Sequence, residues 1–84
     1  MKIVWDELKR QANLNKHGLD FADLDENFFE NAVVRPTRSR RWRGIGVSVH
    51  GVVAVIFFAL GVEAVSLISM RPASRQERKL YAER

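Results

Sequence analysis

The chain has 84 residues, no cysteine and a formal net charge of +4, which describes one domain, residues 1–84, with a small core that buries about 60–65% of the unfolded surface. The lack of cysteine excludes disulfides and thiolate-held metal and fits a reducing, cytoplasmic setting, and two separated histidines, His17 and His50, do not make a structural zinc site. Charge divides along the chain: residues 1–34 hold four Lys/Arg against seven Asp/Glu, a balance of −3, and residues 35–84 hold ten against three, a balance of +7, so the second half suits a polyanion and the first a basic protein.

Lys2 to Trp5 reads as a short strand, and the start turns polar at Asp6, too early for a secretory leader. Asp6 is placed to N-cap a helix through Asn13, with Leu8 and Ala12 facing inward. Gly18, after Lys16-His17, is a left-handed helix stop. Asp20 opens a second helix through Phe28 or Phe29, with Leu19 and Leu24 at the spacing of a hydrophobic staple and Asn31 as terminator. Arg35 to Arg40 reads as a loop. The period then changes to two: Arg41, Arg43, Ile45, Val47 and Val49 alternate with Trp42, Gly44, Gly46 and Ser48. His50-Gly51 is the expected hairpin turn, Val52 to Leu60 a continuous apolar strand, and Gly61-Val62 a second tight turn of type II′. Glu63 to Met70 is a third strand of the meander, broken by Pro72. Ser74-Arg75-Gln76-Glu77 is a capping box that opens the last helix. The expected order is β-α-α-β-β-β-α. This is an α+β fold, with a small antiparallel meander covered by two N-terminal helices and followed by a C-terminal one.

Residues 51–70 form an apolar stretch with one charge, Glu63, nearly long enough for a bilayer. Two glycines at turn positions, the internal charge and the β-branched first half favour a hairpin over a membrane span. A mid-bilayer charge costs roughly 2.5–3.5 kcal/mol. No membrane partner is expected.

Trp5-Asp6, Lys9, Asn13, Lys16-His17-Gly18 and Phe21, then Arg41 with Gly46, then Ile68-Ser69, Arg71, Ala73, Arg75, Glu77-Arg78 and Tyr81 together resemble the signature of the BrnT family of bacterial toxins. The resemblance spans essentially the whole chain. It implies a RelE-like ribonuclease fold, the toxin half of a type II toxin–antitoxin pair, that cleaves RNA without metal or cofactor and so inhibits translation and growth. It also implies a ribbon-helix-helix, BrnA-like antitoxin, whose complex with the toxin binds operator DNA. The chain departs from the family pattern at Ser66, where an Arg is usual, at Met70, where Ala is usual, and at Pro72, where a basic or polar residue is common.

Metal-free RNA cleavage needs a base for the 2′-hydroxyl, cations for the phosphate and an acid for the 5′-oxygen, and it leaves a 2′,3′-cyclic phosphate. Arg71, at the end of a strand and beside a helix N-terminus, is the leading phosphate cation. Its plain alternative is a surface arginine paired with a carboxylate. Arg41 stands across the meander from it with Arg43, and Trp42 between those two can stack on a base or pack in the core. Glu77 is a candidate proton acceptor paired with Tyr81 one turn on, although the capping box already accounts for its position. Tyr81 is a candidate base if cations surround its phenol, or an anchor of the helix on the sheet.

Lys9, Lys16 and His17 form a second cluster. Lys9 offers a further phosphate cation, Lys16 an RNA contact and His17 a proton carrier of the kind that works near neutral pH. The alternative for His17 is a helix C-terminal cap. Arg75 and Arg78 on the last helix extend the basic surface, as does the segment Arg35 to Arg43, with five arginines in nine residues. That segment suits RNA backbone, an acidic antitoxin segment or plain solvation. Two functions follow: an endoribonuclease toxin, or a catalytically weak RNA- or antitoxin-binding module acting in operon autoregulation.

Overall fold

In the computed structural model, which describes residues 1–84, one sheet holds five strands in the order β1-β5-β4-β3-β2. Strand β1 (Lys2–Trp5) lies parallel to β5 (Ala64–Pro72). The rest is antiparallel: β5 with β4 (Gly51–Leu60), β4 with β3 (Trp42–Ser48), and β3 with β2 (Val33–Pro36). Helices α1 (Glu7–His17) and α2 (Glu26–Asn31) follow β1, and α3 (Arg75–Ala82) follows β5.

The α+β architecture holds, and several boundaries move for identifiable reasons. Asp6 caps α1 by accepting the Leu8 N–H at 2.8 Å, and Gly18 ends it with φ 70°. Leu8, however, is 76% exposed and Ala12 is exposed; the buried residue of α1 is Asn13. The helix lies along the edge of the sheet, so its contact is polar. The expected second helix is split. Asp20 caps only a 3-10 turn, Phe21–Asp23, and Asp25 caps α2 by accepting the Phe28 N–H at 3.0 Å. Two aspartates compete as caps within six residues, and each takes its own turn.

Strand β2 begins after the expected Asn31 terminator and takes in Arg35 and Pro36, the first two residues of the expected loop. It is a four-residue edge strand ending in proline, too short to show a period. The turn that follows carries Ser39 and Arg40 at φ 58° and 63°, and Arg41 N–H donates to the Arg38 carbonyl at 3.1 Å. Two successive positive-φ residues make a primed hairpin turn, formed here without glycine. At the next hairpin Ser48 pairs with Gly51, so Val49 and His50 form the turn rather than His50-Gly51. The Ser48 hydroxyl accepts the His50 N–H at 3.0 Å and closes the turn one residue early. Leu60 pairs with Ala64, so the last turn has three residues, Gly61, Val62 and Glu63. Strand β5 continues through Pro72, which pairs with Val53 at the strand end, where a missing N–H is tolerated. The apolar stretch 51–70 is thus a hairpin, and no helix is long and apolar enough to cross a membrane.

One face of the sheet holds the main core. Phe21, Phe28, Phe29, Val53, Val55, Phe57, Leu67 and Met70 interlock there, with Phe29 edge-to-face against Phe57 at 5.3 Å between centroids. The opposite face is partly covered by α3, above the buried Ile45 and Ala54.

A bulge at Ile68 decides which residues face which way. Ile56 pairs with Ser69 and Phe57 with Leu67, so Ile68 is the unpaired extra residue. Before it, Val65 and Leu67 point into the core; after it, Met70 does, and Arg71 is turned to the other face. Were β5 regular through Ile68, with no bulge, the strand's period of two would put Arg71 on the same side as Val65 and Leu67, in the apolar core.

The close fit of α2 on β3 is testable. A Cβ on Gly46 would stand 2.9 Å from a ring carbon of the buried Phe28, whereas one on Gly44 meets nothing nearer than 3.4 Å. Gly46→Ala is expected to lower stability by about 1–3 kcal/mol, and Gly44→Ala to be near neutral, in parallel thermal melts.

Candidate active site

Three elements meet on one buried carboxylate. The capping box fixes Glu77 in the first turn of α3: the Glu77 N–H donates to Ser74 Oγ at 3.1 Å, and the Ser74 N–H donates to Glu77 Oε1 at 2.8 Å. The carboxylate also receives a two-pronged bond from Arg71 on β5, Nη1 to Oε1 at 2.6 Å and Nη2 to Oε2 at 2.8 Å. Arg43 on β3 adds Nη1 to Oε2 at 3.2 Å. By register Arg71 pairs with Ala54 and Arg43 with Ile56, two residues apart on β4. Both guanidiniums therefore rise from one face, on the strands either side of β4, with α3 crossing between them.

The Glu77 side chain is 5% exposed, whereas those of Arg71 and Arg43 are 37% and 35% exposed. Arg71 Nη1 also donates to the Pro72 carbonyl at 3.3 Å, and Arg43 Nε is buried without a partner, so each guanidinium is only partly open. Hydrogen bonding from Arg71 is the main cause that holds the Glu77 carboxyl down to about 2, against the opposing effect of burial; the Ser74 N–H and the Arg43 charge add to it. The same contact raises Arg71 above its ordinary value. The pair is held ionised, a fixed negative group under two cations.

Beside Arg71 opens a cleft of about 420 Å³ between α1 and β5, lined by Lys9, Lys16 and His17 on one side and Ile68, Ser69 and Arg71 on the other. Lys9 and Lys16, two turns apart, share the helix face that borders it. The position of this wall depends on Asn13. Strand β1 ends at Trp5, opposite Leu67, which leaves the β5 edge open beyond. The Asn13 amide takes the place of the missing strand. Its Nδ2 donates to the Met70 carbonyl at 2.9 Å and its Oδ1 accepts the Met70 N–H at 3.0 Å. Nδ2 also donates to the Leu19 carbonyl at 3.0 Å, which ties down the end of α1.

The structure thus gathers Arg71, Lys9, Lys16 and His17 around one cleft, with Arg43 joined to Arg71 through Glu77. The arginine that joins Arg71 across the meander is Arg43, through Glu77, rather than the expected Arg41. Arg41 lies further along the same face, with its guanidinium 5.3 Å from the Phe58 ring centroid. Trp42, 38% exposed, points to the opposite face, because neighbours on a strand alternate. It is neither core nor neighbour to the arginines. Arg75 and Arg78 are exposed on α3, and Arg78 Nε donates to the Ala73 carbonyl at 3.3 Å. Tyr81 is half-buried one turn beyond Glu77, under the Arg84 guanidinium at 3.8 Å. The sequence reading gave Asn13 no physical role; its only local sign is a polar residue where the helix turns inward.

Residues 5–77 match the model of the family described as "Ribonuclease toxin, BrnT, of type II toxin-antitoxin system". The chain belongs to the BrnT family. Comparison with the solved structures finds the 1.1 Å crystal structure of the Brucella abortus ribonuclease toxin BrnT, with a TM-score of 0.82 and 55% sequence identity over 89% of this chain and 99% of that one. Comparison with curated proteins returned no match. Membership of this family carries an antitoxin partner and an RNA target.

Two predictions follow from the bonds described. With its carboxyl at about 2 when folded and about 4.5 when unfolded, Glu77 contributes stability that is complete above about pH 5 and lost as pH falls towards 2, on the order of 3 kcal/mol. Urea midpoints between pH 7 and 2 are expected to fall less steeply for Glu77→Gln than for the parent. Asn13→Ala leaves the buried Met70 N–H and carbonyl without partners and is expected to cost about 2–4 kcal/mol, with faster hydrogen exchange at the Met70 amide.

Proposed function

We propose that this chain is a metal-independent endoribonuclease toxin that cuts RNA by attack of the 2′-hydroxyl on the adjacent phosphate. The observation that carries the reading is the pair of partly exposed arginines, Arg71 and Arg43, fixed on Glu77, with Arg71 across a cleft from Lys9, Lys16 and His17. The 2′-oxygen loses its proton and bonds to phosphorus. The bond from phosphorus to the 5′-oxygen breaks, that oxygen takes a proton, and a 2′,3′-cyclic phosphate remains. Arg71 and Arg43 supply the positive charge that the crowded phosphate needs, already in place before reaction. That is the work a metal ion does elsewhere.

Glu77 positions these cations rather than moving the proton. At pH 7 a group near 2 takes up a proton at a cost of about 7 kcal/mol. His17 is the leading proton carrier because it shares the cleft with Arg71, with Lys9 as a further cation. Tyr81 stands one turn from Glu77 as the second proton-carrying candidate. Lys16, Arg41, Arg75 and Arg78 serve the RNA backbone, and Trp42 is directed away from the scissile phosphate. The partner is a ribbon-helix-helix antitoxin, and the complex binds its own operator in the cytoplasm, as the resemblance to the BrnT family implies.

A second reading draws on two observations: the burial of Glu77 beneath both arginines, and Ser66. Ser66 pairs with Phe58 and faces the same side as Arg71, four residues along β4, about 13 Å away. A cation usual in the family is therefore missing from the face where it would act. A catalytically weak RNA- or antitoxin-binding module fits that deficit.

Expression of the chain alone is expected to arrest growth, and Arg71→Ala to relieve the arrest. Purified protein in EDTA is expected to leave 2′,3′-cyclic phosphate ends, at least tenfold slower in Arg71→Lys, which keeps the charge and loses the fork. RNA left intact by the parent and cut by Ser66→Arg would decide for the weak module.

A further inference from the structure

The face that carries Arg71 and Arg43 also carries an aromatic ring that the proposed chemistry leaves unused. Phe58 on β4 pairs with Ser66, Ser66 pairs with Val4, and Ile56 lies between Arg43 and Ser69. Ile45 and Ala54, beneath α3, are fully buried, whereas Phe58, Ile56, Ser66, Ser69 and Val4 are all only half-buried. A patch of sheet with a phenyl ring at its centre is left open beside the cationic cluster.

We propose that Phe58 is a stacking platform for a nucleobase of single-stranded RNA, one step along the strand from the phosphate held by Arg43 and Arg71. The inference rests on the ribonuclease reading above and names a subsite for its substrate. Phe58 is two residues from Ile56, the partner of Arg43, and two residues of strand span about 7 Å. That is the reach from a phosphate to the base of a neighbouring nucleotide. The flanking side chains are cations: Arg41 on the ring, Arg43 and Arg71 beyond it. Residues 35–84 carry ten Lys/Arg against three Asp/Glu, so charge favours a polyanion over an acceptor of basic segments.

Arg41 covers the ring in the free protein, and it is exposed. Base stacking on an aromatic ring is the stronger interaction. An arriving base displaces the guanidinium, which turns to the adjoining phosphate. Stacking accepts every base, so the platform adds affinity and register rather than sequence choice. Trp42, an apparent candidate in the sequence, is on the wrong face for this work.

The test measures binding of a 2′-O-methyl oligoribonucleotide, which cannot be cut, by fluorescence anisotropy, together with a series carrying one abasic site at each position. The parent is expected to bind, with about tenfold loss at one abasic position. Phe58→Ala is expected to bind the intact oligonucleotide about tenfold more weakly and to show no further loss at that position, with Phe58→Tyr close to the parent. Phe58→Leu, which keeps apolar bulk, is expected to behave as Phe58→Ala and serves if the alanine variant does not fold. Unchanged binding by folded Phe58→Ala and Phe58→Leu overturns the platform. Unchanged RNA binding with a weakened antitoxin complex overturns it too and gives the patch to the antitoxin. No binding by the parent removes the ribonuclease reading beneath both.

Discussion

The Glu77 carboxylate accepts bonds from Arg71, Arg43 and the Ser74 N–H, and this small knot joins β5, β3 and α3 over the middle of the sheet. Burying a charge is costly unless it is paired and fully bonded, and removing one partner of such a group typically costs 3–5 kcal/mol. Here both carboxylate oxygens are engaged, so the pairing favours one placement of α3. The same pairing fixes two guanidiniums in a known orientation before any ligand arrives. Fold and site therefore share one interaction. The capping box, at first sight a rival to a functional role for Glu77, is what aims its side chain at the arginines.

Two backbone devices make that arrangement reachable. The bulge at Ile68 shifts the strand's parity, so that Met70 enters the core and Arg71 leaves it. Asn13 then completes the β5 edge at Met70, next to Arg71, and holds α1 where Lys9, Lys16 and His17 face the cleft. Neither device is large, yet each decides on which side a charged group stands. A sheet offers only two sides, and one of them is apolar.

The division of charge acquires a spatial meaning. Acidic groups of the first half settle in pairs and caps: Asp20 receives Arg10 Nε at 2.7 Å, and Asp23 meets His50 of the second half at 2.7 Å. Arginines of the second half find one buried carboxylate, and Arg41 rests on a ring. The excess positive charge is left on the open face of the sheet, on the turn after β2 and on α3.

Local order was legible wherever neighbouring residues satisfy one another. The Asp6 cap, the Gly18 stop, the Ser74–Glu77 box and the apolar strand of β4 are all written in short windows. So was the family, because its residues keep their spacing along the chain. Tertiary structure decided what depends on partners distant in sequence. Asn13 meets Met70 across 57 positions and Glu77 meets Arg43 across 34. Strand β2 exists only because β3 pairs with it, and the Ile68 bulge is defined only against β4. The sequence by itself determined which cations and proton carriers the protein has and which short elements bear them. Which of them share a face was settled by strand register, since one extra residue in a strand reverses every side chain after it.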